Sequence, residues 1–220
     1  MNIALPDRFF YDAGNNNIAY VENGILYIEG RVNFDDLMYT ITYSLKGYEK
    51  CFYCGNDLTH RRRTIDHMYP RFFGGISIPN NMVPCCSSCN STKSCLTAEQ
   101  YINLRTIKSK DQKDVVFKFL VEQNQSDYES GFILPSEWIT DYTLGPLIDE
   151  IDFSAIKRAH AANRRIQEFF SKYHRYPCPI VVSSNDWIFK GLHILYHARK
   201  NSIASVPAVV MDNVVHISQS

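Results

Sequence analysis

The chain has 220 residues, of which 45% are hydrophobic, and its 23 basic side chains balance 23 acidic ones, giving a formal net charge of zero. This length and apolar content predict one large or two small folded domains and exclude a disordered chain. Because it lacks a signal-peptide pattern and any long apolar run, we expect a cytoplasmic protein.

The N-terminal residues predict a β-hairpin followed by a helix. Apolar runs at 18–21 and 25–28 flank Asn23-Gly24, a dipeptide that readily takes the positive φ angles of a two-residue hairpin turn. Asn33 is a suitable N-cap for a helix to about Leu45, whose acidic first turn complements the helix dipole.

Two C-x-x-C motifs follow in the most basic part of the chain, residues 46–113, which carries eleven basic and five acidic side chains. The motifs are Cys51-Phe-Tyr-Cys54 and Cys86-Ser-Ser-Cys89. Four thiolates at this spacing can surround one Zn²⁺ tetrahedrally, so we predict a structural zinc site. We interpret the other three cysteines as buried or free thiols: Cys85, Cys95 and Cys178.

The 31 residues between the two motifs are too many for a simple zinc ribbon, so the insert must have its own structure. Its polar and turn-forming residues, together with those just after the second motif, are Asp66, His67, Pro70, Gly74, Gly75, Asn81, Asn90 and Lys93. A neutral imidazole such as that of His67 can take a proton from water near neutral pH. Asp66 can act beside it only at a bend or strand end, because side chains alternate along a strand.

Residues 51–93 resemble the HNH nuclease family in the form that carries a CxxC…DHxxP…GG…N…CxxCN…K pattern. The resemblance implies a ββα-metal finger that hydrolyses DNA phosphodiester bonds, leaving a 3′-hydroxyl and a 5′-phosphate. It implies that Asp66 and Asn90 bind Mg²⁺ or Mn²⁺, that Asn81 ties the loop between the strands and orients the histidine, and that His67 is the general base. Lys93, three residues after Asn90, could reach a phosphate.

Basic side chains near these residues are candidates for phosphate contacts. They are Arg61, Arg62, Arg63 and Arg71. An ordinary solvated surface would have the same composition, so both interpretations remain open.

Beyond the finger, Thr97 and Gln100 have capping-box spacing and predict a helix to about Ile107. Residues 119–156 hold eight acidic and no basic side chains, which we interpret as part of an acidic connector. The longest helix is expected over 154–173, followed by strands near 180–182, 187–189, 206–211 and 214–217 and a helix at 192–199. Arg164 and Arg165 are candidate DNA contacts on the long helix, with a plain solvated helix as the alternative.

Residues 179–210 look like the ParB/sulfiredoxin-like fold, in which a strand leads to a Gly-His-His-Arg-type nucleotide motif, a helix and a Val-Pro strand. This chain has Gly191-Leu192-His193-Ile194 at that point and lacks the arginine that members use to hold phosphate. The resemblance therefore favours a DNA-contacting or specificity module over nucleotide hydrolysis.

Together these features predict an α+β protein in four parts. They are an N-terminal hairpin and helix (1–46), the HNH nuclease domain (47–110), the acidic connector (111–152) and a C-terminal α+β domain (153–220). We expect it to nick double-stranded DNA as a monomer, whereas cutting both strands needs a homodimer or two successive events. A non-catalytic zinc module that binds nucleic acid is the alternative, and RNA remains open as the substrate.

Overall fold

The computed structural model describes residues 1–58, 63–145, 148 and 151–217. Helices and antiparallel and mixed sheets occur along the chain, which confirms the α+β prediction. The chain forms two compact units. The N-terminal unit is Ile3–Ile133 with His216 and Ile217, and the C-terminal unit is Met1–Asn2 with Leu134–Val215. No helix among the described residues is long and apolar enough to cross a membrane.

The N-terminal unit contains the predicted hairpin and helix, and one further strand precedes them. Its elements are β1 (Phe9–Asp12), β2 (Ile18–Glu22), β3 (Ile25–Glu29), α1 (Phe34–Lys46), β4 (Arg63–His67), β5 (Met82–Cys86), α2 (Ser87–Lys93), α3 (Ala98–Thr106) and α4 (Lys110–Ser130). Asn23 and Gly24 have φ angles of 52° and 76°, as the turn between β2 and β3 requires. The side chain of Asn33 accepts the backbone N–H of Asp36 and so caps α1.

Strands β4 and β5 and helix α2 form a ββα finger. The strands are antiparallel, with His67 opposite Met82 at one end and Arg63 opposite Cys86 at the other. The segment between the strands contains two short 3-10 helices, Arg71–Phe73 and Pro79–Asn81. Helix α2 begins immediately after β5, and β5 is paired with β4. The three elements therefore form one compact finger.

Helices α3 and α4 complete the core of the finger. Thr97 and Gln100 form the predicted capping box at the start of α3. Apolar side chains of α4 pack against the cluster that contains Cys51, Val83 and Leu96: Val116, Phe117, Leu120 and Val121. Much of the segment that we interpret as an acidic connector is thus helical and packed on the finger. The four-part division itself stays a prediction.

The C-terminal unit is a four-stranded sheet with helices. Its elements are β6 (Thr140–Thr143), α5 (Ser154–Arg158), α6 (His160–Tyr173), β7 (Ile180–Ser183), β8 (Ile188–Lys190), α7 (Leu192–Lys200) and β9 (Ser205–Met211), and β10 (Val214–Ile217) ends the described chain. The strand order is β6-β9-β7-β8, and β7 and β9 are parallel. The sheet core contains Ile180, Val182 and Ala208, packed with Leu195 of α7.

The prediction of one longest helix over 154–173 is wrong in two respects. The 21-residue helix α4 is longer, and the helical stretch breaks at Ala159, which has φ −83° and ψ 59°. The Asn163 side chain donates to the carbonyl oxygen of Ile156 at 2.7 Å, which stabilises a carbonyl at the break. Asn163 lies seven residues after Ile156, so the helical spacing of apolar residues does not indicate that the helix breaks between them.

Candidate active site

The four cysteines of the two C-x-x-C motifs come together at one end of the finger. Their sulfur atoms all lie within 4.8 Å of one another, and Cys54 Sγ and Cys86 Sγ are 4.0 Å apart. Tetrahedral zinc–thiolate bonds of about 2.3 Å place sulfurs roughly 3.8 Å apart, so the cluster fits a structural Zn²⁺. In the described part of the chain it is the one such group of His, Cys, Asp or Glu side chains.

Cys85 lies beside this cluster without belonging to it. Its side chain is fully buried, and its sulfur is 3.2 Å from Thr64 Oγ1. Burial raises the pKa of the Cys85 thiol to about 12, so the thiol stays protonated at neutral pH. The structure thus supports the interpretation of Cys85 as a buried thiol.

Asp66 and His67 end strand β4, and both line a cavity of about 400 Å³. Consecutive strand residues normally point to opposite faces, but the chain bends away from the sheet after His67. Both side chains are largely buried, with 6% and 7% exposure. The cavity is also lined by Pro70, Arg71, Phe72, Ser94 and Cys95.

Asp66 is held by two partners that come from other elements. The Tyr53 hydroxyl donates to Asp66 Oδ2 at 2.5 Å, and Lys93 Nζ lies 3.1 Å from the same oxygen. Lys93 also donates to the backbone oxygen of His67 at 2.9 Å and is completely buried. In this structure Lys93 therefore neutralises Asp66, and a phosphate contact by Lys93 stays a prediction.

His67 is held by a residue that no motif indicates. Its Nε2 lies 3.0 Å from Ser77 Oγ, and its ring meets the Tyr39 ring edge to face at 6.3 Å. Burial, followed by the positive charges of Arg71 and Lys93, lowers the pKa of His67 to about 4. The imidazole is therefore neutral at neutral pH and has a free lone pair, while the lower pKa also makes it a weaker base than an exposed histidine.

Asn81 ties the loop between the two strands together. Its side chain is fully buried, accepts from the backbone N–H of Tyr69 at 2.8 Å, and donates to the carbonyl oxygens of Tyr69 and Ile76. Its backbone oxygen accepts from Met68 at 2.7 Å. These bonds fix the segment that carries Ser77, so any effect of Asn81 on His67 is indirect.

Asn90 of α2 is fastened to β4 rather than to the cavity. Its Nδ2 donates to Thr64 Oγ1 at 3.2 Å and lies 3.5 Å from the carbonyl oxygen of Ile65. An Asp carboxylate and an Asn amide oxygen suit Mg²⁺, which takes few protein ligands and keeps most of its waters. The donor types of Asp66 and Asn90 thus fit Mg²⁺, although Asn90 is not among the described residues that line the cavity.

The structure separates the candidate arginines. Arg71 is exposed and lines the cavity of Asp66 and His67, whereas the Arg63 guanidinium lies over the rings of Tyr43 and Tyr48. Arg164 and Arg165 are exposed on α6 of the C-terminal unit, and Arg164 Nε is 3.7 Å from Glu168. Arg61 and Arg62 lie outside the described residues.

Comparison with known proteins gives one match. No curated protein and no solved structure matches the chain, so the ParB-like resemblance finds no support there. A family model described as HNH endonuclease matches residues 51–103, about a quarter of the chain. This segment contains the four-cysteine cluster, strands β4 and β5, and the Asp66–His67 cavity. The resemblance to the HNH endonuclease family is therefore confirmed for residues 51–103.

Proposed function

We propose that this protein is a metal-dependent endonuclease that hydrolyses DNA phosphodiester bonds at the cavity of Asp66 and His67. The observation that carries the proposal is the position of the His67 imidazole and the Asp66 carboxylate, which follow each other at the end of β4 and line the same cavity. The cysteine cluster of the same finger fits a structural zinc ion. A phosphodiesterase needs an activated water and compensation for charge that builds on the phosphate. Each need has a candidate among these residues.

His67 acts as the general base in this proposal. When Nε2–H donates to Ser77 Oγ, the imidazole lone pair is on Nδ1, and this nitrogen takes the proton from water. The hydrogen bond to Ser77 and the edge-to-face contact with Tyr39 fix the orientation of the ring. Ser77 is a positioning residue that the sequence pattern does not indicate.

Asp66 and Asn90 would hold the catalytic Mg²⁺ or Mn²⁺. When bound, that ion supplies a Lewis acid for the charge on the phosphate and the leaving oxygen. The family resemblance adds the expected products, a 3′-hydroxyl and a 5′-phosphate. A single site cuts a single strand, so a monomer in the cytoplasm would nick double-stranded DNA, and both strands would be cut only by a dimer or by two events.

Cleavage of supercoiled plasmid with Mg²⁺ or Mn²⁺ tests the proposal. We expect nicked circles from the wild-type protein and a rate about 10²- to 10⁴-fold lower for His67→Ala, because the general base is lost. His160→Ala, at an exposed histidine of α6, is the matched control and should cut normally. Zinc content and circular dichroism establish that both variants are folded. Equal cleavage by His67→Ala and the wild type would overturn the role of His67.

The second candidate function is a non-catalytic zinc module that binds nucleic acid. The ion pair between the completely buried Lys93 and Asp66 favours this alternative. Such a pair can have a purely structural role, in which Asp66 takes no part in catalysis. Under this alternative, wild type and His67→Ala bind DNA with the same salt dependence and neither cuts plasmids of varied sequence. That outcome would replace the nuclease proposal.

A further inference from the structure

An exposed aromatic side chain lines the Asp66–His67 cavity. Phe72 is 71% exposed and lines the cavity together with Arg71. Arg71 is near enough to His67 for its charge to contribute to the lowered pKa of the imidazole. The phenyl ring of Phe72 and the guanidinium of Arg71 therefore belong to neighbouring exposed residues that both line this cavity. We refer to Arg71 and Phe72 as the cavity rim.

The backbone beneath the cavity rim is firmly fixed. The following residue, Phe73, is 1% exposed and packs against the Tyr128 ring of α4. The backbone N–H groups of Phe73 and Gly75 both donate to the carbonyl oxygen of Pro70. A Cβ on Gly75 would lie 2.0 Å from the Tyr69 oxygen, so only glycine fits this close approach. The Phe72 ring is thus presented to solvent by a rigid turn.

The two residues suit different parts of a nucleotide. A phenyl ring offers a face on which any nucleobase can stack, and a guanidinium binds a phosphate. In duplex DNA the base faces are covered by neighbouring bases, so a side chain can reach one only where the stack is open. The chemistry of the cavity rim therefore matches DNA with an unstacked base better than uninterrupted duplex.

We propose that Phe72 stacks on an unstacked nucleobase next to the scissile phosphate and that Arg71 binds the adjoining phosphate. The site thereby prefers single-stranded DNA, or duplex with an unpaired nucleotide, over fully paired duplex. This inference rests on the proposed nuclease function and specifies its substrate. It differs from the use of Phe72 as an apolar wedge between paired bases, for which aliphatic side chains serve equally well.

Affinity for fluorescein-labelled oligonucleotides tests the inference. Zinc-loaded protein without Mg²⁺ is titrated with a single strand, its paired duplex and the same duplex carrying one bulged nucleotide, so that binding is read without cleavage. We expect Phe72→Ala to weaken binding to the single strand and the bulged duplex by about 5- to 150-fold, the usual range for loss of one base–aromatic stack. Binding to the paired duplex should change much less.

Further variants separate stacking from other roles. Phe72→Trp should retain the affinity, whereas Phe72→Leu should lose it, because leucine keeps apolar area without an aromatic face. Arg71→Gln should weaken binding to all three DNAs and reduce the salt slope by about one. Phe10→Ala is the matched control, because Phe10 is 65% exposed on β1 and does not line this cavity.

The results distinguish failure of the inference from failure of the proposed function. If the wild type binds DNA and nicks plasmid but Phe72→Ala binds every DNA like the wild type, the inference is overturned and the nuclease remains. If Phe72→Leu binds like the wild type, Phe72 acts as an apolar wedge between bases, and the proposed stacking is overturned. If the wild type neither binds nor cuts DNA, the proposed function fails first.

Discussion

The finger carries two candidate metal sites that are built in opposite ways. The cysteine cluster takes all four ligands from two short motifs, and the sulfurs already lie within 4.8 Å of one another. The cavity of Asp66 and His67 depends on partners from four further elements or loops: Tyr53 and Lys93 hold Asp66, and Ser77 and Tyr39 contact His67. From this comparison we expect the first site to stabilise the fold, and we expect the properties of the second to depend on the residues that hold Asp66 and His67.

The sharpest way to break this comparison is to remove the zinc. Zinc-finger peptides gain about 10–16 kcal/mol from zinc at neutral pH, so chelation or Cys89→Ser should abolish the cooperative unfolding of the N-terminal unit. Cys95→Ser, at a half-buried cysteine outside the cluster, is the control and should retain zinc. Zinc content and urea unfolding measure the effect. Cooperative unfolding of Cys89→Ser at wild-type urea concentrations would contradict a structural role for the cluster.

The next largest effect is expected at the buried ion pair. Lys93→Met leaves the Asp66 carboxylate buried without its cation, which typically costs about 3–5 kcal/mol. The double variant Asp66→Asn, Lys93→Met should recover much of that free energy of unfolding, because no buried charge is left unpaired. Urea unfolding of the single and double variants measures this. If Lys93→Met is as stable as the wild type, the ion pair is not formed in solution.

A smaller effect is expected from removing one hydrogen bond to the same carboxylate. Tyr53→Phe keeps the ring that packs edge to face on Tyr101 but loses the bond to Asp66 Oδ2. Hydrogen bonds to charged groups contribute about 1.5–3 kcal/mol, so we expect destabilisation in that range and slower plasmid nicking. Tyr69→Phe, at a half-buried tyrosine of the loop, is a comparison variant. Unchanged stability and nicking in Tyr53→Phe would contradict the link between Tyr53 and Asp66.

The smallest effect is expected at His197, a buried histidine of the C-terminal unit. It tests whether burial lowers the pKa of an imidazole outside the finger, as it does for His67. His197 lies between the Tyr176 hydroxyl and Gln167 Oε1, and burial, followed by the charge of Lys200, lowers its pKa. The unfolded chain then binds the proton more readily, so stability should fall as pH decreases from about 7.5 to about 5.5. His197→Gln should reduce this pH dependence in urea unfolding. An identical slope in both proteins would contradict the shift.

Local signals predicted much of the fold, because the contacts behind them are short in sequence. The Asn23-Gly24 turn, the Asn33 cap and the capping box of Thr97 all form as expected. Helix α4 was not predicted, because the exposed apolar residues Val115 and Phe119 disturb the helical spacing of its apolar residues. The break at Ala159 was missed because its stabilising contact comes from Asn163.

The same reasoning explains which parts of the site could be predicted. The two C-x-x-C motifs contain all four zinc ligands, so the cysteine cluster could be predicted from the sequence. Ser77 and Tyr53 became visible only through the fold, since neither belongs to a recognisable spacing and each acts through one hydrogen bond to a distant residue. Tyr53 does lie inside the first C-x-x-C motif, but nothing in that motif indicates a carboxylate as its partner.

The position of Tyr53 has a consequence for the order in which the protein matures. Tyr53 lies between Cys51 and Cys54, and its hydroxyl holds Asp66. Because zinc would fix the first motif, we expect a chain without zinc to hold neither Tyr53 nor the Asp66 carboxylate in a fixed position. We therefore expect the cavity to take its final form only after zinc has bound, so any cleavage by the protein should depend on the order in which zinc and substrate are added.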